Sequence, residues 1–394
     1  MPNYFNELGL ANADPTEVIN LCLAFFGNGE FTNDRLAAFG RAQGRIALKI
    51  SCNAIGNITN VEPGPDFLRS DLISLRSRIE EELLSSGPTQ IARQILFNHA
   101  RLDGFYRHTD QFQILPVPID SPRPDFSCSD HPSILEVSFA SSSNPFTSHA
   151  RGTRTLNKTE LMLIPLLPSI SRLQVEVPDR TWTNGPSETS LWRQDYAQVG
   201  YMKPHGPPES FTDTTSCSPL PVMAYQKYYS SPAEHHNTFK VPDSLATSLS
   251  KVAKLSAENY QRYLRAAYWL KQSRLSGPFG NSPSFVALIS VVEALMGPPV
   301  RTGTCDTCKQ AISIGNTALF KNFIDQHTSP DTASNKLKNE FYNMRSEVAH
   351  GGCVFRSDLE GWGTSLRGSY EHHRFTTLYD LVRILIYNWL QRAG

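Results

Sequence analysis

The stretch Ser334-Asn-Lys-Leu337-Lys-Asn-Glu-Phe341-Tyr-Asn-Met344-Arg345-Ser-Glu-Val348-Ala-His350-Gly-Gly352 decides how the C-terminal part of this 394-residue chain is read. Leu337, Phe341, Met344 and Val348 are spaced four, three and four apart, so they share one stripe of an amphipathic helix. At about 100° per residue, Arg345 falls about 70° to the side of that stripe and His350 falls on the opposite face. Tyr342 and Ser346 lie between them. The helix therefore has a second, polar face that does not point into its own core. Gly351 and Gly352 supply the residues that favour a left-handed stop. Such a stop places His350 at the carbonyl end, where the helix dipole favours positive charge.

Outward from this segment the same periodicity continues. Ser244 to Ser273 reads as one long helix with Ala253, Ala257, Tyr260, Leu264 and Ala267 in line. Pro283 opens a helix with Phe285, Ile289, Val292 and Met296 as its buried stripe, ended by Gly297-Pro298-Pro299. A short helix from Gly315 to His327 precedes the quoted stretch, and Phe375 to Arg392 follows it with Leu378, Val382, Leu385 and Trp389. Four or five such helices make a bundle, predicted over residues 241–394.

Residues 1–240 read differently. Helices are predicted from Asp14 to Phe26, from Phe67 to Ser86 on the stripe Leu68, Leu72, Leu75 and Ile79, and from Pro88 to about Leu102. Strands are predicted at Arg45–Ala54, Gln111–Pro118, Ile134–Phe139 and Leu173–Val177. Loops rich in Pro, Ser and Asn, such as Ile119–Asp125, Ser141–Asn144 and Pro204–Leu220, separate them. The predicted fold class is thus an α+β N-terminal region followed by an all-α helical bundle. A further break near residue 105 would divide the N-terminal region, read as a sensing or regulatory module, in two.

The totals exclude some functions. Lys and Arg together number 37 and so do Asp and Glu, so no polycationic surface grips nucleic acid nonspecifically. From Val241 onward 17 Lys and Arg stand against 12 Asp and Glu, a local surplus that permits a phosphate-binding role. The seven cysteines are scattered and the N-terminus lacks the basic and apolar run of a signal peptide, which suggests a reducing cytoplasm. No stretch reaches the ~18 apolar residues of a membrane span.

The segment YNMRSEVAHGG, with Arg345 and His350 in an R-x4-H spacing, follows a helix SFVALISVVEALMG that carries Glu293. In this it resembles the HEPN superfamily, particularly its ApeA-like branch, over residues 241–394 only. The resemblance implies a helical bundle that homodimerises, brings two R-x4-6-H motifs together and cuts RNA without a metal or other cofactor. It assigns Arg345 and His350 as catalytic, with Ser346, Glu293 and Tyr342 in support. Many members carry Asn, Asp or His directly after the Arg, where this chain has Ser346. By the same resemblance the reaction is transesterification by the RNA 2′-hydroxyl. The role is then a toxin-like or antiviral defence effector acting by abortive infection, gated by an N-terminal region that meets a phage or cellular trigger.

The residue types suit that chemistry. RNA carries its own nucleophile, so a cutter needs an acid or base near neutrality, which imidazole supplies, and a cation for the extra charge on phosphorus, which guanidinium supplies. Glu293 is placed to pair with Arg345 or to orient His350. The residues alone, without the resemblance, favour an ordinary ion pair of Arg345 with Glu293 or Glu347 and a C-capping His350. The chain would then be a noncatalytic dimerisation module or a nucleotide- or RNA-binding regulator.

Cys305 and Cys308 have the turn spacing that lets two thiolates reach one structural zinc. The other ligands would come from His327, Cys353 or the His372-His373 pair, and a merely reduced pair is the alternative. His99, His108, His149, His235 and His236 read as surface or loop histidines. Arg151, Arg154 and Lys158 read as a solvated basic loop, with RNA or a protein trigger as the alternative.

Overall fold

The computed structural model describes residues 3–41, 45–54, 56–84, 87–98, 100–117, 131–167, 172–173, 180–184, 192–196, 209–230, 238–276, 280–297, 301–304, 311–313, 315–328, 335–359 and 366–393. These contain α1 (Pro15–Phe26), β1 (Asn28–Asn33), β2 (Leu36–Gly40), β3 (Ile46–Cys52), β4 (Ile58–Pro63), α2 (Arg69–Arg78), β5 (Thr89–Asn98), β6 (Tyr106–His108), β7 (Phe112–Pro116), β8 (His131–Ala140) and α3 (Pro145–Leu163). The short strands β9 (Arg172–Leu173), β10 (Arg180–Asn184), β11 (Trp192–Tyr196) and β12 (Val222–Met223) follow, then α4 (Tyr225–Ser230) and β13 (Val241–Pro242). Helices dominate from there: α5 (Leu245–Lys254), α6 (Ala257–Leu275), α7 (Asn281–Met296), the hairpin β14 (Arg301–Thr304) and β15 (Ala311–Ser313), α8 (Asn316–His327), α9 (Asn335–Ala349), α10 (Arg356–Leu359) and α11 (Leu366–Ala393). The architecture is an α+β N-terminal region followed by a helical C-terminal region, with β14 and β15 a small exception to the expectation that strands cease there.

The chain divides into two compact units. The first comprises Met1–Ala92, Ser138–Thr155 and Pro207–Ser210; the second comprises Arg93–Val137, Leu156–Gly206 and Phe211–Gly394. Residue 240 falls inside the second unit. In the first unit β1 to β4 form an antiparallel meander in sequence order. Asp14 caps α1 by accepting from the Thr16 and Glu17 N–H groups, and Val18, Leu21 and Phe26 of that helix join Phe39, Leu48 and Ile50 in one buried core. Strands β6, β7, β8, β5 and β9 lie in that order in a five-stranded sheet, and within the second unit α7 touches α6, α8, α9, α10 and α11.

Several expectations need correction. The segment after Pro88 is strand β5, not a helix. Ile91 and Ile95 are four apart, a spacing that satisfies both a helical turn and an even strand alternation. What decides is burial of the consecutive Gln94, Ile95 and Leu96, which a two-faced strand achieves. The predicted helix from Ser244 is broken at Leu255 and Ser256, because the Ser256 hydroxyl accepts from the Asn259 N–H and starts α6 anew. Ala253 and Ala257 are consequently exposed, while Tyr263, Ala266, Ala267 and Leu270 are buried.

Helix α3 was not expected at all. Its signal was Asn144 before Pro145: the Asn144 Oδ1 accepts from the Phe146 and Thr147 N–H groups at 3.0 and 3.3 Å. Arg151, Arg154 and Lys158 are therefore helical rather than on a solvated loop. Arg151 and Arg154 both bind the buried Glu17 of α1, Arg151 at 2.9 Å. The stripe of α2 also differs in part. Leu75 and Ile79 are buried, whereas Leu68 is exposed and a π-helical turn, Ile79–Leu84, completes the segment.

A buried carboxylate organises the five-stranded sheet. Glu136 of β8 is fully buried and accepts from Gln113 at 2.7 Å, from the Thr212 N–H at 2.9 Å, from the Thr212 hydroxyl at 2.6 Å and from Arg93. Burial alone would raise its pKa, but Thr212, Arg93 and Gln113 together hold it below the ordinary range. Its folded pKa is lower than its unfolded one, so its contribution is complete above about pH 4.5 and is lost as pH falls through the folded value. Glu136→Gln should therefore cost about 3 kcal/mol at pH 7 and lose less on acidification than wild type. Urea denaturation at pH 7 and pH 4 measures both; equal acid sensitivity of the two proteins would refute the assignment.

Candidate functional site

Helix α9 is fixed by contacts on several sides. Phe341 is buried with its ring centroid 6.3 Å from that of Phe285 on α7. Tyr342 lies 5.7 Å from Phe320 of α8, and the buried Lys338 places its ammonium on Asp325 of the same helix. Glu340 accepts from Arg374 at 2.7 Å and from the Tyr370 hydroxyl at 3.1 Å, both on α11. The expected core stripe is thus only partly core. Phe341 is buried, whereas Leu337, Met344 and Val348 are half-buried.

The last turn carries the sequence-predicted residues. Arg345 reaches Glu293 of α7 with Nη2 3.2 Å from Oε1 and 3.4 Å from Oε2, and both side chains are partly exposed. Ser346 is half-buried, and its carbonyl accepts from the His350 N–H at 3.1 Å. The Gly351 N–H donates to the Val348 carbonyl at 3.1 Å and the Gly352 N–H to the Glu347 carbonyl at 2.8 Å, the two bonds of a Schellman stop. Gly351 has φ 73°, a left-handed conformation that costs a side-chain-bearing residue roughly 1–2 kcal/mol. His350 is exposed and continues the solvent stripe of Lys336, Asn339, Asn343 and Glu347. The chain itself brings together Arg345 and Glu293. His350 has no side-chain hydrogen bond or ion pair among the described residues.

The segment after the motif is also anchored. Phe355 is buried 5.2 Å from Phe285, and its N–H donates to the Ser282 hydroxyl at 2.7 Å. Asp358 accepts from the Asn281 and Ser282 N–H groups at 2.6 and 2.8 Å, capping α7 from outside that helix. Sequence reasoning missed Ser282, Phe355 and Asp358. Asp358 stands 77 residues from Asn281, so local spacing carries no sign of the cap.

Cys305 and Cys308 lie outside the described residues, as do His99, His235 and His236. Among the described residues no group of three or more His, Cys, Asp or Glu could hold a metal. His327 sits edge-on to Phe323 at 4.5 Å with its Nδ1 buried and unpaired; burial, then the nearby Arg392, push its pKa down to about 4. Cys353 places its sulfur 3.7 Å from Glu347 Oε2. Among the described residues no helix is long and apolar enough to cross a membrane. No family model matches the chain, and no curated protein matches it.

The stop predicts a specific sensitivity. Gly351→Ala should destabilise the protein by about 1 kcal/mol through backbone strain alone, since a Cβ there would meet nothing within 4 Å. Gly351→Asn, whose short polar side chain tolerates the left-handed region, should change stability by only a few tenths. Urea midpoints of the two variants compare them, and equal effects would show that the left-handed stop contributes nothing.

Proposed function

We propose that this chain is a metal-independent endoribonuclease of the HEPN type. The observation that carries the proposal is the placement of Arg345 on the final turn of α9 and of His350 directly after it, the guanidinium beside α7 and the imidazole on the solvent-facing stripe. His350 takes the proton of an RNA 2′-hydroxyl, whose oxygen attacks the adjacent phosphorus. The bond from phosphorus to the 5′-oxygen breaks, leaving a 2′,3′-cyclic phosphate, and an imidazolium protonates the departing 5′-oxygen. Arg345 holds the non-bridging oxygens as negative charge develops on them. Among the described residues the His350 side chain has no partner, and a homodimer would supply the second imidazole from the other copy. The N-terminal region would then restrain a toxin-like or antiviral effector until a phage or cellular trigger engages it. A zinc on Cys305 and Cys308 would have a bracing role and no step in the chemistry.

One observation favours a second reading. Arg345 already has a carboxylate partner in Glu293, as expected of a structural ion pair in a noncatalytic dimerisation or nucleotide-binding module. The two readings part in one experiment. With wild type, His350→Ala and Arg345→Ala incubated with total RNA in EDTA, wild type should cleave and leave cyclic phosphate ends, while each variant loses about 10²-fold or more in rate with its circular dichroism unchanged. Identical cleavage patterns from wild type and His350→Ala, with both equally tolerated by expressing cells, would establish the noncatalytic reading.

A further inference from the structure

Helix α6 carries an exposed face that its own packing does not use. Tyr263, Ala266, Ala267 and Leu270 are buried on the other side, where the Tyr263 hydroxyl donates to the Met162 carbonyl at 2.9 Å and Lys271 pairs with the buried Glu160. Outward stand Tyr268 and Trp269, 47% and 38% exposed, as an edge-to-face pair with ring centroids 5.5 Å apart. Exposing two adjacent large aromatic rings forfeits apolar burial that a core helix would normally take.

On the same face, at spacings of three and four residues, lie Arg262, Arg265 and Trp269. Arg265 is exposed and has no acidic partner among the described residues. Arg262 pairs with Glu258, the one acid of the stripe. The Arg262 guanidinium also lies against Gly297, where an added Cβ would come within 2.8 Å of it. Gly297 is one helical turn beyond Glu293, the partner of Arg345. The stripe therefore leads from the aromatic pair to the end of α7 at which Arg345 is held.

The geometry points to this face as the track for single-stranded RNA entering the Arg345 and His350 site. The inference rests on the ribonuclease reading for its destination. Bases stack on Trp269 and Tyr268, and the phosphates between them and the site contact Arg265 and Arg262. From Arg262 to Trp269 the helix rises about 10 Å, the length of about three stacked nucleotides at ~3.4 Å each. Stacking on a π face tolerates any base, so this surface confers affinity for unpaired strands rather than sequence preference. Charge selects RNA over a second copy of the chain as the occupant: the face offers, in Arg265, a cation with no acidic partner among the described residues beside open rings, and its one acid is already paired.

The test titrates the full chain with a 12-nucleotide 2′-O-methyl oligouridine, which lacks the nucleophile, and follows tryptophan fluorescence. Wild type should be quenched, and Trp269→Phe should bind equally well with most of the quench gone. Trp269→Ala and Arg265→Glu should each weaken binding about tenfold or more while melting as wild type does, because both side chains are exposed. Arg265→Ala should also flatten the dependence of log affinity on log salt by about 0.7. Wild-type affinity in both Trp269→Ala and Arg265→Glu would overturn the proposal. So would light scattering that shows Trp269→Ala converting a dimer to a monomer, since a second copy would then own the face. If RNA is cut but these variants bind and cut normally, the track fails and the ribonuclease reading stands. Quenching by oligonucleotide without cleavage of any RNA leaves the binding face standing and refutes the enzyme.

Discussion

Phe285 stands with Phe341 on one neighbour and Phe355 on another, and the candidate site of the C-terminal region is positioned through those contacts. All three rings are buried. The first contact sets α9 against α7, so that one turn after Phe341 the guanidinium of Arg345 reaches Glu293. The second returns the chain after His350 to the start of α7, where Ser282 and Asp358 fasten it. The last turn of α9 is therefore held from both sides by a core that contains none of the candidate site residues. Truncating a buried Phe typically costs 3–5 kcal/mol, and here the loss would fall on the element that carries the candidate site.

Buried charge is the second constraint, and it works over long sequence separations. Glu17 meets Arg151 across 134 residues, Glu160 meets Lys271 across 111, and Glu136 meets Thr212 across 76. For Glu160 burial outweighs the attraction of Lys271 and raises its pKa, whereas the donors around Glu136 more than offset its burial and lower it. The difference is hydrogen-bond count: Glu136 has four donors, while one oxygen of Glu160 is buried without any. A buried carboxylate is tolerated in proportion to how fully its lone pairs are met.

These two constraints explain which parts of the fold were legible. Helix α9, its glycine stop and the C-terminal helix from Phe375 onward were readable because apolar spacing and capping are local signals, whereas the first nine residues of α11, from Leu366, lack the apolar stripe. Arg345 beside Glu293 was readable for the same reason, since both lie on strongly patterned helices. Strand β5 was not, because Ile91 and Ile95 satisfy two periods at once and only the tertiary burial of the consecutive Gln94, Ile95 and Leu96 selects one. Arg151 looked like a loop cation because Glu17, its partner, is 134 residues away. The break at Ser256 was hidden by apolar residues that keep a helical rhythm through it, although the serine itself supplied the cap.

Glu293 bears directly on the proposed chemistry. The Arg345 and Glu293 side chains are 28% and 36% exposed, and an ion pair that wet contributes roughly 0–1 kcal/mol. Displacing the carboxylate is therefore inexpensive. A phosphodiester presents two non-bridging oxygens to the same planar fork, so exchanging Glu293 for a phosphate preserves the hydrogen bonds of the guanidinium while adding charge that grows toward the transition state. An arginine buried with its carboxylate would resist that exchange, and one with no partner would sample many rotamers before finding a phosphate. A weak, partly exposed pair holds the guanidinium in place and yields it, which is what a phosphate clamp on the proposed reaction path requires.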